Sequence, residues 1–281
     1  MAGGEKADRA RRPGDASRLR RVGHKGADEI VHGNTIESFQ AAVEHGVDMI
    51  EFDVLRAREG RLIVAHDYED ALTRRPLTLS EALDAFSEPP LDKVEIDCDL
   101  KLPGREAELA GALQGHGLVE RAMVSTMEIE SLQKLRQLEP DLRLGWTFPK
   151  TRRDWTSHRS VVPILKVALA AMRRQFPKAI GERTERLGLS AIWAYHQVVT
   201  RRAVEAAREA DVELIAWTVD DLGRMTELIE MGVEGIVSND PRLFDRAERA
   251  AAGTVPKPEP EEPDVMEDLD EEAEPAAEER S

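Results

Sequence analysis

The chain has a single cysteine and no long apolar run. Cys98 is therefore unable to form a disulfide within the chain, which is typical of a reducing compartment. The N-terminus is positively charged but lacks the apolar stretch of a secretory signal. No segment approaches the roughly 18 uninterrupted apolar residues of a spanning helix. We therefore expect a cytoplasmic protein without a transmembrane segment.

An excess of basic residues is also missing. The chain carries 39 Lys plus Arg against 55 Asp plus Glu, a net charge of −16. This balance argues against a nucleic-acid partner, because nothing would neutralise the phosphates. Residues 256–281 hold 12 acidic and 2 basic residues, a net charge of −10, which leaves −6 for the rest. The acidity therefore belongs mainly to an appendage.

Three zones divide the chain. Residues 1–17 are rich in Gly and Arg and predict a disordered arm, whereas residues 18–251 are regularly patterned. Residues 252–281 alternate Pro with acidic clusters, a composition that buries too little apolar surface to offset the entropy of ordering. We expect this tail to be disordered and to be a candidate ligand for a basic partner.

Short β-like runs alternate with amphipathic helical windows throughout residues 18–251. The predicted strands are 19–23, 48–54, 93–100, 121–125, 142–146, 189–195, 212–217 and 235–238. Eight strand–helix pairs in about 235 residues are the number and size of a (β/α)8 TIM barrel. The interval between Trp146 and Leu189 exceeds one crossover and predicts an extra helix or a lid-like insertion.

One extra strand interrupts this alternation. After Val54 the chain reads LRAREGRLIVAHD, which leaves no room for a helix before the next apolar run. A two-residue turn at Glu59-Gly60 would form a β-hairpin. Pairing about that turn would place His66 opposite Asp53.

Polar residues cluster at the C-terminal ends of the predicted strands, where a barrel has its active site. His24 follows the first strand, and Glu51 and Asp53 share one face of the second. The third strand has four polar residues on one face, namely Glu95, Asp97, Asp99 and Lys101. Buried carboxylates need a cation or protons, and this oxygen-rich set suits Mg²⁺ or Ca²⁺. Histidines at the same position can supply a general acid and a general base.

Four sequence blocks resemble the glycerophosphodiester phosphodiesterase family, within the phospholipase-C-like barrel phosphodiesterases. They are GHKG (23–26) with GNTIESF (33–39), GVDMIEFDV (46–54) with EGRLIVAHD (59–67), DCDLK (97–101), and AWTVDD (216–221) with GVEGIVSNDP (232–241). Their order and spacing match the family over essentially all of residues 18–246.

The resemblance implies a role for nine residues. It makes His24 and His66 the catalytic pair, Glu51, Asp53 and Asp99 the metal ligands, and Lys25, Asn34, Lys101 and Trp217 substrate-binding residues. Asp99 is also the most C-terminal acid of its strand, which independently favours it over Asp97 and Glu95. The implied reaction is metal-dependent hydrolysis of glycerophosphodiesters, or of lysophospholipids with peripheral membrane contact, to glycerol phosphate and an alcohol.

Two positions depart from the family pattern. Lys25 stands where the family usually has Arg, and Gly33 stands where it usually has Glu. A lysine offers a point charge instead of a bidentate fork, so the binding of phosphate should change. The alternative interpretation is a barrel that binds phosphodiesters with little or no turnover. The basic residues of 151–186 could likewise form a solvated helix or an approach surface for anionic lipid headgroups.

Overall fold

The computed structural model describes residues 18–150 and 162–259. The strands of these residues are β1 (Arg20–Gly23), β2 (Met49–Arg56), β3 (Leu62–Val64), β4 (Leu77–Thr78), β5 (Glu95–Leu100), β6 (Ala122–Thr126), β7 (Arg143–Phe148), β8 (Ala191–Tyr195), β9 (Glu213–Trp217) and β10 (Gly235–Ser238). The helices are α1 (Ile36–Glu44), α2 (Asp70–Thr73), α3 (Leu79–Phe86), α4 (Glu106–Gly115), α5 (Ile129–Leu138), α6 (Val162–Leu187), α7 (Arg201–Glu209), α8 (Leu222–Met231) and α9 (Phe244–Ala251).

Eight parallel strands close into a barrel. Strand β2 pairs with β1 and β5, β5 to β10 follow one another in chain order, and β10 pairs with β1. The expected (β/α)8 TIM barrel is confirmed, and each barrel strand begins and ends within two residues of its predicted bounds. The strands are almost wholly buried, because helices cover the outside of a parallel sheet.

Side-chain caps start several of the surrounding helices. Thr35, Thr78, Thr200 and Asp221 each accept a hydrogen bond from a backbone N–H of the first helical turn. Thr78 and Glu81 form a complete capping box at α3. Each such cap contributes about 1 kcal/mol to the stability of its helix.

The extra hairpin is present, but its predicted register is wrong. Strand β3 pairs antiparallel with β2 so that Val54 faces Val64 and Arg56 faces Leu62. Ala57 N–H donates to Arg61 O at 2.9 Å, and Gly60 takes a φ of +97°. The turn therefore holds three residues, with Gly in the left-handed position of such loops. This one-residue shift means that His66 does not lie opposite Asp53. A two-residue strand, β4, extends the hairpin.

The long interval before β8 contains the helix expected near residues 161–186, and the rest of the expected insertion, residues 151–161, lies outside the described residues. Residues 162–187 form one continuous helix, α6, of 26 residues. Arg173 of this helix donates to Gln197 O at 2.6 Å, so it ties α6 to the loop after β8. Arg152, Arg153 and Arg159, the predicted arm 1–17 and the tail from residue 260 lie outside the described residues.

Charged residues close the N-terminal end of the barrel. Arg20, Glu95, Arg143 and Glu213 are each the first residue of their strand. Arg20 donates to Glu95 at 2.5 Å and to Glu213 at 3.1 Å, and Arg143 donates to Glu95 at 2.9 Å. Burial lowers the pKa of Arg20, but the two carboxylates outweigh this and raise it overall. These four residues are thus two cations and two anions that pair with one another.

Candidate active site

Three carboxylates meet at the opposite, C-terminal end of the barrel. Glu51 and Asp53 point inward from β2, and Asp99 points inward from β5, where it pairs in register with Asp53. One oxygen from each of the three side chains lies within 4.8 Å of the others. The alternation of the strands thus brings together the three acids that the sequence predicted.

Two neighbours hold Asp53 and Asp99 in place. The Lys101 ammonium lies 2.7 Å from an oxygen of Asp53 and 2.8 Å from an oxygen of Asp99. The Asn34 amide donates to the other oxygen of Asp53 at 2.6 Å and accepts from the Asp53 N–H at 3.1 Å. All four side chains are buried, so their orientations are fixed by these contacts.

The buried position of Glu51 disfavours its ionised form. Burial, followed by the charge of Asp53, raises its pKa from 4.5 to about 8. Its carboxylate accepts the Lys25 backbone N–H at 3.1 Å and lies 3.9 Å from His24 Nε2. Ionised carboxylates in excess of nearby cations are costly to bury. The three-oxygen set therefore fits a hard divalent cation such as Mg²⁺ or Ca²⁺.

A fourth acid, Asp97, lies one layer deeper in the barrel. It pairs in register with Glu51 and accepts the Ser125 hydroxyl at 2.6 Å. Burial raises its pKa well above the ordinary value. Burial therefore favours the protonated form of Asp97, and the Ser125 hydroxyl holds its carboxyl group next to the cluster.

His24 is oriented by two residues that the sequence analysis missed. Asp220 accepts the Asn239 amide N–H at 2.7 Å, so the Asn239 oxygen faces His24 Nδ1 at 2.6 Å. Because an amide oxygen only accepts, His24 carries a proton on Nδ1, which leaves Nε2 facing Glu51. Asn239 directly follows β10, so the rule that singled out His24, a polar residue at a strand end, could have found it.

The loop from β1 to α1 brings Lys25 and Asn34 to the site through unusual backbone angles. Lys25 has a φ of +50° and Asn34 a φ of +58°, and Asn34 N–H donates to Lys25 O at 2.9 Å. A Cβ at Gly33 would lie 2.6 Å from that of Lys25, so no larger residue fits. Gly33 N–H donates to Asp28 at 2.5 Å, and Asp28 lies 3.7 Å from the Lys25 ammonium. Asp28 is thus the partner of Lys25.

His66 lies in a cleft shared with this loop, and Lys25 and Asn34 line the same cleft. Its Nδ1 is 3.2 Å from Asp67, and that hydrogen bond lowers the pKa of Asp67 to about 2. The carboxylate accepts, so Nδ1 of His66 carries a proton. His66 Nε2 is buried and has no hydrogen-bond partner among the described residues.

His24 lines a second cavity, together with Glu51, Asp99 and Trp217. Trp217, at the end of β9, is buried beside Tyr195, with ring centroids 5.6 Å apart. The nine predicted site residues therefore fall into one region. Asp53, Asn34 and Lys101 connect the cavity of His24 with the cleft of His66. The two histidines do not line the same cavity.

Barrel and site together define a class: a (β/α)8 enzyme whose acidic cluster and two histidines lie at the C-terminal ends of the strands. The model of the glycerophosphoryl diester phosphodiesterase family matches residues 24–87 and 101–243. The chain belongs to this family and is a phosphoric diester hydrolase.

Several known proteins are similar to the chain. The glycerophosphodiester phosphodiesterase of Caldanaerobacter subterraneus is 28% identical over 79% of this chain and 95% of its own length. A glycerophosphodiester phosphodiesterase structure from Parabacteroides distasonis has a TM-score of 0.62 at 17% identity, covering 84% of this chain and 98% of that one. An Oleispira antarctica phosphodiesterase, solved with the product sn-glycerol-3-phosphate, has a TM-score of 0.61 at 18% identity, covering 82% and 96%. At these identities the structures support the fold alone. Among the described residues, no helix has the length and apolarity needed to span a membrane.

Proposed function

We propose that the chain hydrolyses glycerophosphodiesters to sn-glycerol 3-phosphate and an alcohol, with a divalent cation bound by Glu51, Asp53 and Asp99. The observation that carries this proposal is the convergence of these three carboxylates within 4.8 Å. The relative from Caldanaerobacter subterraneus is named for this activity, and the neighbour from Oleispira antarctica binds this product. Both names support the choice of substrate.

The cation, when bound, would neutralise charge on the phosphoryl oxygens and lower the pKa of an attacking hydroxyl. Lys101 would also neutralise charge on the phosphoryl oxygens, because its ammonium lies next to two of the proposed ligands, Asp53 and Asp99. Lys25 would bind a further phosphate oxygen from the cleft. Asn34 holds Asp53 in the orientation for ligation, and Trp217 forms a wall for the glycerol or alcohol group.

The two histidines would act as acid and base. Each has a hydrogen-bond acceptor at Nδ1, Asn239 for His24 and Asp67 for His66. Each therefore directs Nε2 to the reaction. One ring would remove the proton of the nucleophile, which is water or a vicinal glycerol hydroxyl, and the other would protonate the leaving alkoxide. Their placement in adjoining cavities supports roles on opposite sides of the phosphate.

A phosphodiester-binding barrel with little turnover is the alternative, and it depends on Lys25 and Gly33. Against it stands Asp28, which lies near the Lys25 ammonium and accepts the Gly33 N–H. The local charge balance is thus kept without the family's usual Arg and Glu. We therefore favour turnover with an altered substrate preference, and monoacyl glycerophosphodiesters are the second substrate class to test.

The test is the release of glycerol phosphate from glycerophosphocholine and from a lysophospholipid, with and without EDTA. We expect EDTA to abolish hydrolysis and Mg²⁺ or Ca²⁺ to restore it. His24→Ala and His66→Ala should each lower kcat by roughly 100-fold or more, as is usual for a lost general acid or base.

The matched control is His45→Ala, because His45 is exposed beyond the end of α1. This variant should keep the full rate. Hydrolysis that persists in EDTA would refute the role of the cation, and a His66→Ala rate within about a factor of two of wild type would refute the role of His66.

A further inference from the structure

An apolar groove opens beside the active-site cleft. The loop of the β2–β3 hairpin and helix α2 form its sides, and Ile63, Tyr68 and Ala71 line it. Beneath it lies a small apolar cluster, separate from the main core, that contains Leu55, Ile63 and Leu102. The floor of the groove thus packs on an apolar cluster that is separate from the main core.

Leu72 stands at the edge of this groove with 84% of its surface exposed, the largest value for a large apolar side chain among the described residues. Helix α2, which carries it, has no buried residue. Exposing an apolar side chain to this degree leaves most of its transfer free energy unused in folding. Leu72 is therefore available to contact an apolar partner.

The rim of the groove is basic. Three arginines and one glutamate line it, and Glu81 lies beside Arg75, which leaves a local excess of one positive charge. Side chains of Arg61 and Arg75 are 64% and 77% exposed, and Arg58 is also exposed. Arg61 and Arg75 meet Glu59 and Glu81, but pairs this exposed hold a guanidinium only weakly. Arg61 and Arg75 can therefore exchange these partners for an external anion.

Helix α2 joins this groove to the catalytic cleft. Ala71 and Leu72 line the groove, while Asp70 and Thr73 of the same helix line the cleft that contains His66. Arg74 holds the cleft side in place, since its guanidinium contacts Asp70 at 3.2 Å and Val64 O at 3.4 Å. Anything that docks on the groove is thus brought next to His66.

We propose that this groove and its arginine rim form a docking surface for a membrane that contains anionic phospholipids. Leu72 enters the interface between headgroups and acyl chains, and Arg58, Arg61 and Arg75 contact the phosphates. Charge complementarity favours this partner over a neutral surface, because basic residues beside exposed apolar ones are what anionic bilayers bind. Docking here would place the mouth of the His66 cleft at the lipid surface.

Co-sedimentation with vesicles tests the proposal directly. The full chain in EDTA, which separates binding from turnover, is mixed with phosphatidylcholine vesicles with or without phosphatidylglycerol. We expect binding only to the anionic vesicles, and loss of binding at high salt, because salt screens the arginines. Arg58→Ala, Arg61→Ala and Arg75→Ala should each weaken binding about fivefold, and Leu72→Glu should weaken it further.

Two matched controls separate this surface from general effects. Val167→Glu introduces the same charge at a side chain on α6 that is 71% exposed. Arg201→Ala with Arg202→Ala removes two exposed arginines of α7. Both control variants should bind vesicles like the wild type, and Leu72→Glu should hydrolyse soluble glycerophosphocholine at the wild-type rate.

Three results would overturn the proposal. The first is equal binding of the wild type to vesicles with and without phosphatidylglycerol. The second is an equal loss of binding in Leu72→Glu and Val167→Glu. The third is a wild type that binds no vesicles and has a larger molecular mass in solution than Leu72→Glu. The last result would assign the groove to a second copy of the chain. None of these results depends on whether the proposed hydrolysis occurs.

Discussion

The two ends of the barrel both bury charged side chains, but they balance them differently. At the N-terminal end Arg20 and Arg143 meet Glu95 and Glu213, two charges of each sign. At the C-terminal end three clustered carboxylates, with Asp97 beneath them, face Lys101 and the imidazole of His24. A compensated layer of charges stabilises the fold, whereas an excess of buried carboxylates can be stabilised by binding a cation. Strand β5 contributes to both ends. Its Glu95 belongs to the charge-balanced N-terminal end, and its Asp99 belongs to the acidic cluster at the C-terminal end.

The largest expected difference comes from neutralising one acid at each end. Glu51→Gln should lower kcat/KM roughly 1,000-fold or more, because it removes a proposed ligand from the cation. The same change should raise the free energy of unfolding in EDTA, since Glu51 is buried with a raised pKa. Hydrolysis assays and urea unfolding measure the two effects.

Glu95→Gln is the matched variant at the other end of the barrel. We expect it to keep kcat/KM per folded molecule and to lose stability, because Arg20 and Arg143 both donate to Glu95. If both variants lost activity equally, the division between a structural and a catalytic end would be wrong.

Removing a cation from the compensated end should have the next largest effect. Arg20→Met leaves buried Glu213 without the guanidinium that it contacts at 3.1 Å. A buried charge that loses its partner is strongly destabilising, so we expect the free energy of unfolding to fall by about 3 kcal/mol. Urea unfolding measures this loss, and activity per folded molecule should be kept.

Arg18→Met provides the control for this loss. Arg18 pairs with Asp48 on the surface, with 65% of its side chain exposed. We expect its removal to change the free energy of unfolding by less than about 1 kcal/mol. If Arg20→Met and Arg18→Met lost equal free energies of unfolding, the buried charges at the N-terminal end would contribute no more stability than a surface ion pair.

The inward-facing acids of the C-terminal end could be predicted from the sequence. The contacts between residues far apart in the chain could not. The period of two along β2 and β5 put Glu51, Asp53 and Asp99 on inward faces, and parallel pairing then brought them together. The contact of Arg20 with Glu213 spans 193 positions and exists only because the barrel closes. The hairpin register depended on the length of its turn, which holds three residues instead of two and so shifts the pairing by one residue. The pairing of Asn239 with His24 likewise required the closure of β10 on β1.

The smallest expected effect is the dependence of stability on pH, which tests whether the charge of Glu51 is uncompensated in the folded protein. Burial raises the pKa of Glu51 from 4.5 to about 8, so between these values the folded chain holds a proton that the unfolded chain has released. Stability therefore falls as pH rises through this window, by at most about 1.4 kcal/mol per pH unit for one group. We expect the free energy of unfolding in EDTA, measured for wild type minus Glu51→Gln, to decrease over this range. A saturating divalent cation should reverse the trend, because it displaces the proton and stabilises the fold more at higher pH. A difference that stays flat from pH 5 to pH 8 would mean that the charge of Glu51 is already compensated within the folded protein.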